Sequence, residues 1–173
     1  MTNEAIGKEL ERIWINNGDE LFGYVNSMVR GAADTEDVLQ NAFLRLARTL
    51  EKGTAVDNIR SYLYRIARNE ALRLIEGRHR IPIPNDELET SIVQSPQHHV
   101  EAEMDVSRIL ESLPQEQREV VILKLFQGFT FDEVAEVMGI GPKTAASRYR
   151  YALEKLKRRK SVMREVKRNV AQG

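Results

Sequence analysis

"TFDEVAEVMGIGPKTAASRYRYAL", Thr130 to Leu153, holds two short helical patterns separated by a glycine-containing turn. Thr130 and Glu133 have the S/T-x-x-E spacing of a capping box, in which each side chain satisfies an amide left free at a helix start. Val134, Ala135, Val137 and Met138 then supply the apolar side of a short helix. Gly139 permits a tight turn, Ile140 can plug the corner, and Pro142 suits the first turn of the next helix. In that helix Ala145, Tyr149, Ala152, Leu153 and Leu156 recur at helical spacing and form an inward stripe. The small residues Ala135 and Ala145 allow the two helices to cross closely. The pattern predicts a helix-turn-helix, with an ordinary helical hairpin as the structural alternative.

An inward stripe leaves Lys143, Thr144, Ser147, Arg148, Arg150 and Tyr151 to face outward, concentrated at the N-terminal end of the helix. That end enters a major groove in helix-turn-helix proteins, where Arg and Lys read guanine edges and hydroxyls bind phosphate. The free amides of the helix start add a phosphate site. The later "KLKRRK", residues 155–160, lies about three turns from the reading end and reads as solvated or phosphate-facing charge.

Charge along the chain is strongly uneven although 26 basic and 26 acidic residues cancel. The balance is −3 over residues 1–52, +3 over 53–80, −9 over 81–142 and +9 over 143–173. Two separated basic segments suggest a polyanion touched at two places. Basic residues also gather at helix C-termini for dipole reasons alone, so the tail by itself has a bland reading.

The 173 residues suffice for one ordinary domain or two small ones. Glycine and proline are sparse and no alternating β-branched run occurs, so a mostly helical protein is expected. Cysteine is absent, which excludes disulfides and thiolate metal sites. No stretch approaches the roughly 18 apolar residues of a membrane span, and the acidic N-terminal segment lacks the basic start of a signal peptide. The expectation is a soluble, cytoplasmic protein without membrane insertion.

Upstream, Leu21, Phe22, Val25, Met28 and Val29 mark a helix from Asp19 to about Arg30, ended by Gly31. Asp34 reads as the N-cap of a second helix, with Glu36 and Asp37 in its first turn and Gly53 as its stop. Val38, Leu39, Ala42, Phe43, Leu46 and Leu50 fall at helical spacing within it. A third helix is expected from Asn58 to about Gly77, with Ile59, Leu63, Ile66, Ala67 and Leu74 on one face. The stretch after residue 80 carries three prolines with Ser, Asn, Gln and acidic residues, and reads as a flexible linker over 81–101. His79, His98 and His99 lie near or in it without partner ligands, which favours surface histidines over a metal site. A helix over 102–112, Pro114 opening another, and Gly128 closing it complete the reading. The fold class is therefore all-α. Two small helical domains, 1–80 and 102–173, are joined by an extended linker.

"LPQEQREVVILKLFQGFTFDEVAEVMGIGPKTAASRYRYAL" (Leu113 to Leu153) resembles region 4 of the extracytoplasmic-function sigma factors of bacterial RNA polymerase. That family pattern runs LP, then Arg, a hydrophobic helix, G-x-T-x-x-E-[IV]-A, G-I and T-[VA]-x-S-R. "DTEDVLQNAFLRLAR" (Asp34 to Arg48) resembles region 2.2, and "YLYRIARNEALRLIEGRHR" (Tyr62 to Arg80) resembles regions 2.3 and 2.4. The resemblance implies a promoter-recognition subunit with no catalysis or cofactor of its own. It implies binding of core polymerase through Asp37, Gln40, Asn41, Leu44 and Arg45. It implies contact with the −10 element through Arg65, Arg68, Asn69, Arg73, Arg78 and Arg80. The −35 element would meet Lys143, Thr144, Ser147, Arg148 and Arg150, and an anti-sigma factor is the implied regulatory partner.

Several positions depart from the family pattern. Tyr62 stands where tryptophan is usual, and the Asp and Arg three residues apart after Asn69 are reversed as Arg73 and Glu76. An i,i+3 ion pair between those two survives the reversal. Ala146, Tyr149 and Arg150–Tyr151 also differ, so the promoter sequence is not transferable. Two other readings stand beside this one: a sigma-like decoy that occupies an anti-sigma factor, and a stand-alone helix-turn-helix regulator. An enzyme is disfavoured, because no P-loop, dinucleotide turn or nucleophile signature occurs.

Overall fold

The computed structural model describes residues 2–80 and 108–170, with the side chains of Asn3, Arg80 and 160–170 outside that description. The expected linker at 81–101, with His98 and His99, and most of the helix expected at 102–112 lie outside the described residues. What is described is helical, with no strand among these residues: α1 (Asn3–Val29), α2 (Ala32–Glu51), α3 (Ile59–Arg80), α4 (Gln115–Val121), α5 (Phe131–Met138) and α6 (Pro142–Val170). The chain divides into two compact units, the first holding α1 to α3 and the second α4, most of α5, and α6.

α1 begins sixteen residues before the expected Asp19, at Asn3, where the Thr2 hydroxyl accepts the Ala5 amide at 3.3 Å. Its apolar stripe was present in the sequence but thin. Ile6, Ile13, Leu21 and Tyr24 are buried at helical spacing, while Asn17 interrupts the pattern and bonds the Ile13 carbonyl. Gly18 is buried because the Trp14 ring lies against it; a Cβ there would stand 3.2 Å from the indole. Arg30 ends the helix in the left-handed conformation, with φ of 56°, and its amide returns to the Asn26 carbonyl at 2.9 Å.

α2 opens after Gly31 rather than at the expected cap, Asp34. Asp34 instead sits in the first turn, where it pairs with Arg78 of α3, while the Thr35 hydroxyl donates back to the Gly31 carbonyl at 2.7 Å. Thr35, Val38, Leu39, Ala42, Leu46 and Leu50 are the buried stripe. Gly53, at φ of 69°, terminates the turn as expected. Asn58 caps α3 by accepting the Ser61 amide at 3.0 Å, and Leu63, Tyr64, Ile66, Ala67 and Ala71 face the core. Tyr24 and Tyr64 meet at 5.2 Å between ring centroids. Burial pushes the Tyr64 hydroxyl up to about 12, so it stays protonated at any physiological pH.

In the second unit, Leu113, Val121 and Ala152 form a buried cluster against which Leu110, Tyr149 and Leu156 pack. The LP-then-Arg spacing has a structural cause. Arg118 folds back and donates to the carbonyls of Leu110, Glu111 and Leu113, closing the end of the preceding helical turn at 108–111. After α4 the chain widens into a π-helical turn, Ile122–Phe126, which periodicity does not reveal. Gly128 (φ 68°) and Gly139 (φ 65°) make the two turns around α5. The capping box forms as expected: Thr130 N donates to Glu133 at 2.7 Å and Glu133 N to the Thr130 hydroxyl at 3.2 Å.

Two stability outcomes follow from these termini. Arg30→Gly relieves the left-handed strain and should raise unfolding free energy by up to about 1 kcal/mol, a higher urea midpoint at unchanged slope. Thr130→Ala removes one member of the capping box and should lower it by about 1 kcal/mol in the same assay.

Candidate nucleic-acid interface

α6 enters the second unit through its buried stripe. Ala145 and Ala152 are fully enclosed, and the Phe131 and Tyr149 rings meet edge-on at 5.6 Å, joining α5 to α6. Lys124 from the π-helical turn lies over the Phe131 ring, 5.1 Å from its centroid. The crossing leaves Lys143, Thr144, Arg150 and Tyr151 exposed on the first turns of α6. Arg150 stacks on Tyr151 at 5.2 Å, which preorders one guanidinium on the open face.

Ser147 and Arg148 are less open than the stripe argument implied. Arg148 lies near the edge of the buried face, its side chain 24% exposed, and is held by Glu116 of α4 at 2.9 Å. Lys155, Lys157, Arg158 and Arg159 continue along α6 as exposed charge.

A second polar surface lies on the first unit. Asp37, Gln40, Asn41 and Leu44 occupy one side of α2, opposite its buried stripe, and all are exposed. Leu44 is 49% exposed, high for a leucine on a packed helix. Arg45 sits at the border of this side and pairs with Glu70 of α3 at 2.9 Å.

On α3, Arg65 and Asn69 are exposed and Arg68 is half-buried, all on the side away from the core. Arg65 lies over the Tyr62 ring at 5.3 Å, and the Tyr62 hydroxyl meets the Thr49 hydroxyl of α2 at 3.2 Å. The tyrosine that stands in place of tryptophan thus gains a link between helices. Arg73 does not pair with Glu76 as expected; it pairs with Glu70 at 2.9 Å. Arg78 projects from the other side of α3, where it donates to the Val29 carbonyl at 3.1 Å and pairs with Asp34. The Arg80 side chain is outside the described residues.

One feature was not foreseen from sequence. A groove of about 730 Å³ opens between α1 and α2, lined by Leu10, Trp14, Phe22, Leu39 and Phe43 with Glu11, Glu36 and Gln40 at its polar edge. Trp14 and Phe43 meet edge-on at 5.5 Å across it. The signal available was Trp14, the single tryptophan, on a stretch too sparsely apolar to announce a helix. No described helix is long and apolar enough to cross a membrane.

Comparison with known proteins matches both units. The model of sigma-70 region 2 covers residues 14–81, and that of sigma-70 region 4 covers residues 103–156. Among curated relatives, the RNA polymerase sigma factor SigZ of Bacillus subtilis is 27% identical over 149 residues, covering 86% of this chain and 85% of its own. The ECF RNA polymerase sigma-E factor of Escherichia coli is 28% identical over 131 residues, with 68% and 69% covered. A solved complex of the sigma factor RpoE with the anti-sigma factor NepR from Bartonella quintana shares the fold. Its TM-score is 0.72 at 21% identity, covering 87% of this chain and 96% of that one. Two helical units in this order, each matched by its own region of one family, lead to one conclusion: the chain belongs to the extracytoplasmic-function sigma factors of RNA polymerase.

Proposed function

We propose that the chain acts as an alternative sigma factor whose two units divide the work, the first gripping core polymerase and the −10 element, the second the −35 element. The observation that carries this is the pairing of exposed stripes with buried ones: α2 and α6 each commit one side to a core and leave the other polar and open. The polymerase supplies the chemistry. This chain supplies position.

The α2 stripe of Asp37, Gln40, Asn41 and Leu44, with Arg45 at its edge, is the surface we assign to core polymerase. Exposed leucine among polar groups suits a protein partner better than a phosphate backbone. Arg65, Arg68, Asn69 and Arg73 on α3 are assigned to the −10 strand, with Arg80 beyond them. Arg78, held by Val29 and Asp34, is better placed as a scaffold residue than as a DNA contact. Lys143, Thr144 and Arg150 open onto the −35 duplex, with Ser147 and the Glu116-held Arg148 at the border. The domains are taken as 1–80 and 102–173 with 81–101 as linker, and the setting as the cytoplasm. An anti-sigma factor is the natural regulator, and the groove beside Trp14 has the lining an amphipathic helix requires. A decoy has no use for the open cations of α6, and a stand-alone regulator has none for the α2 stripe.

Pull-down of core polymerase followed by transcript-start mapping tests the reading directly; no capture of core would end it. Asp37→Arg should weaken core binding about tenfold, roughly 1.4 kcal/mol, with the melting curve unchanged. On a −35 duplex, Lys143→Ala and Arg150→Ala should each flatten the slope of log affinity against log salt by about one.

A further inference from the structure

Glu70 receives two arginines on one oxygen. Its Oε1 accepts Arg73 Nη1 from its own helix at 2.9 Å and forms an ion pair with Arg45 of α2, 2.9 Å from Nε. The Glu70 side chain is only 13% exposed, whereas those of Arg45 and Arg73 are 48% and 59% exposed. The carboxylate is therefore the sheltered centre of the group, and the guanidiniums are its open ends.

An exposed arginine with free torsions binds any phosphate that approaches, so it adds affinity without discrimination. The same arginine held by a fixed acceptor keeps part of its fork for one direction only and loses less entropy on binding there. Because Arg45 holds Glu70 from α2, the carboxylate is fixed from both sides and cannot swing away with Arg73.

We infer that Glu70 is a positioning residue for promoter discrimination. It fixes Arg73 toward the −10 strand and ties that arginine to the polymerase-facing edge of α2 through Arg45. The inference rests on the placement of Arg73 and Arg45 proposed above.

The test uses holoenzyme assembled with the full chain, on the promoter mapped with wild-type protein and on the same promoter with its −10 element scrambled. Glu70→Gln should lower the ratio of the two affinities about fivefold, while affinity for the scrambled template does not fall. In an Arg73→Gln background the same change should leave the ratio where Arg73→Gln alone puts it. Glu70→Asp keeps the charge but reaches less far, and should lower the ratio in the same direction by a smaller factor. That variant preserves the test if Glu70→Gln melts early. An unchanged ratio in both Glu70 variants overturns the inference, as does an equal loss on both templates or an equal loss in both backgrounds. If wild-type holoenzyme starts no mapped transcript, the proposed function itself fails.

Discussion

Val38, Leu39, Ala42, Leu46 and Leu50 bury one stripe of α2, and the organisation of the first unit follows from the phase of that stripe. Each turn of a helix fixes every other side chain once one face is committed. Burial of these residues, with each Val or Leu contributing about 1.5–3 kcal/mol if fully enclosed, determines that Asp37, Gln40, Asn41 and Leu44 must be open. Rotation of α2 by a third of a turn would bury polar groups and expose the core. The exposed polar side of α2 is thus held in place by the hydrophobic effect acting on its opposite side.

The arginines illustrate a second constraint. Counted in sequence they form basic segments, but in the folded chain many serve the scaffold. Arg118 closes a helical turn through three carbonyls, Arg78 closes the end of α1, and Arg148 is tied to Glu116. A guanidinium offers five donors and can join distant backbone oxygens, which lysine cannot do as well. The exposed charge that no ion pair holds is smaller than the composition implies. Lys143 and Arg150 in the second unit and Arg65 in the first stay exposed, while Arg73 is exposed but shared with Glu70.

The helix-turn-helix was legible because its signals are local. A capping box, a left-handed glycine and a proline at the next helix start each act within a few residues, and the structure forms all three. The α2 stripe was legible for the same reason, through its period. The stretch of α1 before Asp19 was not, because Asn17 and two glycines, Gly7 and Gly18, dilute a stripe whose apolar partners come from other helices. The π-helical turn at Ile122–Phe126 was also hidden, since an extra residue per turn leaves no mark in residue type.

The sequence by itself determined the helical class, the order of the two motif blocks and the polar residues left outside each apolar stripe. These depend on periodicity, capping and composition, which are properties of neighbours along the chain. Tertiary structure alone decided which charges are free. Glu70 was unremarkable in sequence and became the shared ion-pair partner of Arg45 and Arg73 only because α2 and α3 pack side by side. Arg73 was expected to pair with Glu76 and chose Glu70, while Asp34 left its capping role for Arg78. An ion pair depends on distance in space, and a one-dimensional pattern carries that distance only for residues on the same helix.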